Sequence, residues 1–269
     1  MVNLTIGGGS LRGIAFVGSL EYLYSNNYIS IIDNFYGCSV GSIIGILYLI
    51  GYKPLEILNE LLNINLENAW DFNLNNINTN YSLLGNTFFE LMNELFLKKE
   101  SNKKITIKEF CTKYSVNINI YSVSIKQRKV INFNQHSYPD LEVLIAIKAS
   151  CSIPILFPPV KIGSDLFIDG CSKCLTGCYD ANNGIKSGYI IKLNDDYSEI
   201  NNLTDYISEL FKCILVNEEY KCTKNTIEIK FNKDYENKMA FNDLTHSDKI
   251  YLFYEGLSQT KSFFNYCNN

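Results

Sequence analysis

The stretch Ile31-Ile32-Asp33-Asn34-Phe35-Tyr36-Gly37-Cys38-Ser39-Val40-Gly41-Ser42-Ile43-Ile44 decides the fold class. Ile31 to Cys38 reads as an apolar strand, and Ser42 to Leu49 reads as an apolar helix ended by Gly51. Only the tight corner Ser39-Val40-Gly41 separates them. Gly37, Ser39 and Gly41 give the pattern G-x-S-x-G, a nucleophile elbow. Its glycines permit a sharp strand-to-helix turn that lifts a serine hydroxyl off the backbone. The N-terminus of the following helix aims positive dipole and free N–H groups at that hydroxyl. Five residues alone also describe a plain tight turn; the strand before and the helix after supply the context the motif requires.

Toward the N-terminus the same unit recurs. Val2 to Ile6 is a short apolar strand, Gly7-Gly8-Gly9-Ser10 breaks it, and Ile14, Val17, Leu20 and Leu23 recur at helical spacing between Arg12 and Tyr24. The glycine loop is not a dinucleotide loop, because G-x-G-x-x-G needs glycine where Arg12 stands. It lacks the Gly-Lys-Ser/Thr of a Walker loop as well. A run of glycines at a helix start can instead present bare N–H groups to a developing oxyanion, and loss of one such donor typically costs about 100- to 1000-fold in rate. A glycine turn with no ligand is the plainer alternative.

Downstream, Pro54 suits the first turn of a helix over Leu55 to Leu62. Residues 63–80 are rich in Asn, lack periodicity and hold Trp70, the only tryptophan, so they read as a loop or cap. Phe88, Leu91, Met92, Leu95 and Phe96 mark an amphipathic helix, and Ile105 to Tyr114 a short helical piece. Ile118 to Ile125 and Lys129 to Phe133 read as strands joined at Lys126-Gln127. Leu141 to Ala149 is a helix, Pro154 to Pro159 an irregular loop, and Leu166 to Ile168 a strand ending at Asp169-Gly170. Tyr189 to Leu193 and Thr226 to Ile229 are further strands, and Ser247 starts a last helix. With no repeat and no linker, this alternation predicts one α/β domain over residues 1–269 with a mainly parallel sheet.

The 269 residues carry 24 Lys+Arg and 28 Asp+Glu, a net charge of −4, and are 46 % hydrophobic and 19 % charged. That composition excludes intrinsic disorder, and the acidic balance argues against a nucleic-acid partner. The longest apolar run, Ile43 to Ile50, falls short of the roughly 20 residues a membrane span needs, so no transmembrane segment is expected. Met1 to Thr5 has no basic n-region, which predicts no secretory signal. Nine scattered cysteines in a chain too long to need staples predict free thiols in a reducing, cytoplasmic setting.

Asp169 follows Ser39 by 169 − 39 = 130 residues. An Asp after an apolar strand is often only a turn residue. Glycine loop, G-x-S-x-G and Asp-Gly in this order, however, resemble the patatin-like phospholipase family. Gly8-Gly9-Ser10-Leu11-Arg12-Gly13 is similar to its glycine loop, with Ser10 in place of a third glycine. Ala149 to Pro154 and Phe157 to Val160 look like its segment ahead of the aspartate, and Phe167-Ile168-Asp169-Gly170 like its dyad motif. Cys171 stands where the family has Gly or Ala, and the Asn and Pro that commonly follow are missing. The resemblance is clearest over residues 2–170. It implies a three-layer α/β/α fold and a lipid acyl hydrolase of phospholipase A type. Ser39 is then the nucleophile and Asp169 its base, with the N–H groups of Gly8, Gly9 and Ser10 as oxyanion hole. Arg12 then supports that loop or contacts a lipid phosphate. The implied partner is a membrane lipid met by transient, peripheral contact. No cofactor and no calcium are expected.

Two other readings stay open. Ser39, Asp169 and His246 follow the chain order of an α/β-hydrolase triad, although His246 also suits a helix start and His136 a surface loop. A relative that binds lipid without turnover is the non-enzymatic alternative. Cys171, Cys174 and Cys178, with Cys213 or Cys222, offer weak metal-ligand spacing; a redox pair or plain free thiols are the other readings.

Overall fold

The computed structural model describes residues 2–64, 69–173, 188–193, 225–231 and 244–267, with 200 and 206 as single positions. Strand β1 (Asn3–Ile6) runs through the glycine loop and a 3-10 turn at Ser10–Gly13 into helix α1 (Ile14–Ser25). Strand β2 (Asn34–Cys38) runs through Ser39 into α2 (Val40–Leu49), followed by α3 (Pro54–Asn63). Next come the short α4 (Asn76–Asn80), then α5 (Thr87–Leu97) and α6 (Ile107–Tyr114). The strands β3 (Asn117–Ser124) and β4 (Lys129–Phe133) form a hairpin, and α7 (Val143–Ser150) leads to β5 (Val160–Ile162) and β6 (Asp165–Asp169). The described chain ends with β7 (Gly188–Leu193), β8 (Thr226–Ile229) and α8 (His246–Cys267).

The sheet order is β5-β6-β3-β2-β1-β7-β8, with β4 also on β3. β3/β2, β2/β1, β1/β7 and β7/β8 pair parallel, while β3/β4, β3/β6 and β5/β6 pair antiparallel. This is a mixed α/β architecture around a mostly parallel sheet. Parallel strands covered by helices are rich in buried apolar residues: Leu4, Ile6 and Phe35 are fully buried, as are Phe16 and Leu20 of α1 in the same core.

β3 explains how the sheet changes direction. Its residues 117–121 pair with β2 and its residues 122–124 with β6, while β4 covers 120–124. Because β4 overlaps both, β2 and β6 share the other edge of β3 end to end. Two strands arriving from opposite directions therefore stop at one level of the sheet.

Several boundaries differ from the periodicity. β2 begins at Asn34 rather than Ile31, since Ile31 is 72 % exposed and the Asp33 carboxylate is taken by the Val2 N–H at 2.6 Å. α7 begins at Val143 rather than Leu141, because the Leu141 carbonyl accepts from Ile107 N–H at 2.9 Å and Glu142 forms a bridge with Thr106. α4 interrupts the Asn-rich loop. β5 was not legible, since three residues give no alternation; it exists by pairing Val160 with Phe167 and Ile162 with Asp165. No helix among the described residues is long and apolar enough to cross a membrane.

Candidate active site

Ser39 sits between β2 and α2 at φ 51° and ψ −134°. A non-glycine residue held at positive φ typically costs about 1–3 kcal/mol, so the surroundings must over-determine it. They do. The Ser39 N–H donates to Ser150 Oγ at 2.9 Å, and the Ser39 carbonyl accepts from Ser42 N–H at 2.9 Å and Ser42 Oγ at 2.6 Å. Ser150 Oγ in turn donates to the Tyr121 carbonyl of β3 at 2.6 Å. Gly41 lets α2 lie on the end of β1: any Cβ there would overlap the carbonyls of Ile6 and Gly7. Gly37 pairs with Ile6 in the β1–β2 register, so the glycine loop leaves the sheet directly beside Ser39.

Asp169 is the last residue of β6 and is buried. Its N–H donates to the Ser152 carbonyl at 2.8 Å. Its Oδ2 accepts from Ser39 Oγ at 2.6 Å and its Oδ1 from Cys171 N–H at 2.8 Å. Burial disfavours the carboxylate and pushes its pKa up to about 6, against the lowering pull of the hydrogen bonds from Ser39 and Cys171. A hydroxyl and a carboxylate 130 positions apart are thus in direct contact, and the carboxylate is a stronger base than an exposed aspartate. The turn Ser150–Ser152 after α7 grips both: a side chain holds the backbone of Ser39 and a carbonyl holds the backbone of Asp169.

Above them, Ser10 adopts φ 50°, a conformation natural to glycine, so serine stands at this loop position at a backbone cost. Arg12 N–H closes the loop on the Gly9 carbonyl at 3.1 Å. Among the described residues the backbone N–H groups of Gly8, Gly9 and Ser10 donate no hydrogen bond. Ser10 and Ser39 also line a cavity of about 80 Å³. Its other walls include Leu47 of α2, Leu61 of α3, Met92 of α5 and the aromatic group Trp70, Phe88 and Phe157, with ring centroids 5.5–5.9 Å apart. The charged side chain in this lining is Lys249 of α8, whose Nζ donates to the carbonyls of Leu61 and Ile64 at 2.8 and 2.9 Å.

A family model described as patatin-like phospholipase matches residues 4–171. The chain belongs to the patatin-like phospholipase family. It is 35 % identical over 173 residues to the probable lipid hydrolase 463L of Invertebrate iridescent virus 6, covering 62 % of this chain and 58 % of that protein. It is 28 % identical over 294 aligned positions to an uncharacterized protein of Acanthamoeba polyphaga mimivirus, covering 96 % of this chain and 92 % of that one. Among solved structures it resembles VipD from Legionella pneumophila, with a TM-score of 0.60 at 12 % identity over 98 % of this chain and 66 % of that one. It also resembles the type III effector protein ExoU, with a TM-score of 0.57 at 13 % identity over 98 % and 52 %. The latter two likenesses concern the fold. The chain spans under two thirds of the lipid hydrolase and of both structural neighbours.

Within this patatin-like frame the remaining sequence candidates separate. His246 opens α8 and is exposed, and no described hydrogen bond joins it to Ser39 or Asp169; His136 is exposed in the loop after β4. Cys174, Cys178, Cys213 and Cys222 lie outside the described residues. Cys171 is described, and it sits beside Cys38 rather than in an isolated loop, with Sγ atoms 3.6 Å apart. Ser150 and the cavity walls were not singled out from sequence. Ser150 falls within the segment Ala149 to Pro154, whose resemblance to the family could have pointed to it.

Proposed function

We propose that the chain hydrolyses fatty acyl esters of lipids, with Ser39 as nucleophile and Asp169 as general base. The observation that carries this is the 2.6 Å hydrogen bond from Ser39 Oγ to Asp169 Oδ2, made beside a cavity with largely apolar walls. Ser39 Oγ attacks the acyl carbonyl carbon as its proton passes to Asp169 Oδ2. The N–H groups of Gly8, Gly9 and Ser10 stabilise the oxyanion. Collapse expels the alcohol, which takes the proton from Asp169, and leaves an acyl-Ser39. Water, activated by the same carboxylate, then releases the fatty acid. The raised pKa of Asp169 suits both halves: the ionised group is a good acceptor near neutral pH, and the protonated group a good donor. The apolar walls receive the acyl chain. Membership of the patatin-like phospholipase family and the resemblance to a probable lipid hydrolase support the reading.

A Ser–Asp dyad is favoured over a Ser–His–Asp triad because a triad inserts an imidazole between the carboxylate and the hydroxyl, whereas here the two bond directly. We take the 269 residues to act as one patatin-like unit, at a membrane surface met transiently. The test is product analysis on mixed phospholipid vesicles. Wild type and His246→Ala are expected to release fatty acid, and Ser39→Ala to release none. Equal release by wild type and Ser39→Ala rejects the assignment, and no release by any of the three favours the non-catalytic lipid binder.

A further inference from the structure

We propose that Cys38 and Cys171 are a peroxide-sensitive thiol pair whose closure to a disulfide switches the Ser39–Asp169 centre off. Cys38 directly precedes Ser39, and Cys171 follows Asp169 by two residues. Their Sγ atoms are 3.6 Å apart. A disulfide is about 2.05 Å long, so closure asks the sulfurs to approach by about 1.5 Å. The pair is positioned by the same end-to-end meeting of β2 and β6 that joins the serine to the aspartate. The other described thiols differ: Cys111 is buried in α6, and Cys151 lies against Ser42 Oγ at 3.8 Å.

Burial assigns the roles. Cys171 is partly exposed and Cys38 is buried, so a small peroxide meets Cys171 first. The Cys171 thiolate attacks one peroxide oxygen, the O–O bond breaks, and the departing hydroxide takes a proton and leaves as water. The sulfur of Cys38, losing its proton, then attacks the sulfenic sulfur of Cys171 and displaces a second hydroxide, which also leaves as water. The net change is two thiols and one hydrogen peroxide giving one disulfide and two waters.

Closure reaches the chemistry through two contacts. Cys171 N–H donates to Asp169 Oδ1 at 2.8 Å, and the Cys171 thiol also hydrogen-bonds to the Asp169 carboxylate. Cys171 Sγ also packs against Gly8, so closely that no Cβ could stand at that glycine. Drawing the sulfur toward β2 therefore moves the residue that orients Asp169 and withdraws support from the loop assigned to the oxyanion. A misplacement of about 1 Å at such a centre can cost about 100-fold in rate.

The activity arm rests on the Ser39–Asp169 reading; the cross-link does not. The reduced 269-residue chain is treated with hydrogen peroxide, alkylated and mapped by peptide mass spectrometry, with ester hydrolysis followed in parallel. The expected result is a Cys38–Cys171 linked peptide, an activity loss of at least about tenfold, and recovery with dithiothreitol. Cys38→Ala and Cys38→Ser should each give no link and should leave Cys171 as a sulfenic acid that dimedone traps. Absence of the link, pairing of Cys171 with a different cysteine, or a link that leaves hydrolysis unchanged overturns the proposal. If the reduced chain hydrolyses nothing, the lipid reading fails by itself, and the thiol pair then stands or falls on the link.

Discussion

Cys38 and Asp169 face adjacent residues of one strand: Cys38 pairs with Tyr121 and Asp169 with Ser122. β3 is thus the ruler that brings the ends of β2 and β6 to the same level. The residue after Cys38 turns out of the sheet as Ser39, and the carboxylate of Asp169 is there to meet it. The Ser39–Asp169 contact of the proposed acyl-transfer centre follows from strand register.

Asp169 gives the proposed reaction its pH dependence. Only the ionised carboxylate accepts a proton, and its pKa stands at about 6. Ester hydrolysis measured as kcat/KM should rise with pH up to about 6 and level off above it. A profile flat between pH 5 and 8 contradicts this role.

The same shift has a stability sign. A carboxyl whose pKa is raised in the folded chain binds its proton more tightly there than when unfolded. Its contribution to stability is present below the unfolded value and is lost as pH rises through about 6. At neutral pH the loss amounts to about 3 kcal/mol. Asp169→Asn cannot ionise, so its Tm relative to wild type should be higher at pH 8 than at pH 5. Thermal melts at the two pH values check this, and an equal difference at both refutes it.

Ser150 is expected to act on the centre without touching substrate. Ser150→Ala leaves the buried Ser39 N–H unpaired at a strained backbone position, which typically costs about 1–3 kcal/mol. Tm should fall, and kcat should fall more than KM rises, because the proposed nucleophile is displaced while the walls proposed to hold the acyl chain remain. A lowered Tm with unaltered kcat would reduce Ser150 to a packing residue.

Met92 lies on the apolar wall. Met92→Trp fills part of the cavity, so hydrolysis of long-chain esters should drop relative to short-chain esters. The ratio of the two rates on the same preparation is the readout. An unchanged ratio removes this cavity as the seat of the acyl chain.

Legibility in the sequence followed the range of the interactions. Gly37-Cys38-Ser39-Val40-Gly41 is readable because a sharp strand-to-helix turn depends on residues next to one another, and Ser39 stands at positive φ in that turn. Asp169 needed the order of motifs, since nothing local separates it from a turn residue. Only the resemblance of Ala149 to Pro154 to the family could have pointed to Ser150, because its bond to Ser39 N–H crosses 111 positions and a serine ending a helix has no local signature. Trp70 and Phe157 sit in irregular segments without periodicity, so their meeting beside Phe88 could not be inferred from spacing.

The most direct test of the central claim is the labelling rate of Ser39 by a fluorophosphonate, with the modified residue located by mass spectrometry. Wild type and His246→Ala should label at Ser39 at the same rate, and Asp169→Asn at least about 100-fold more slowly. Labelling of Asp169→Asn at the wild-type rate, or its loss in His246→Ala, would contradict a serine activated by this aspartate.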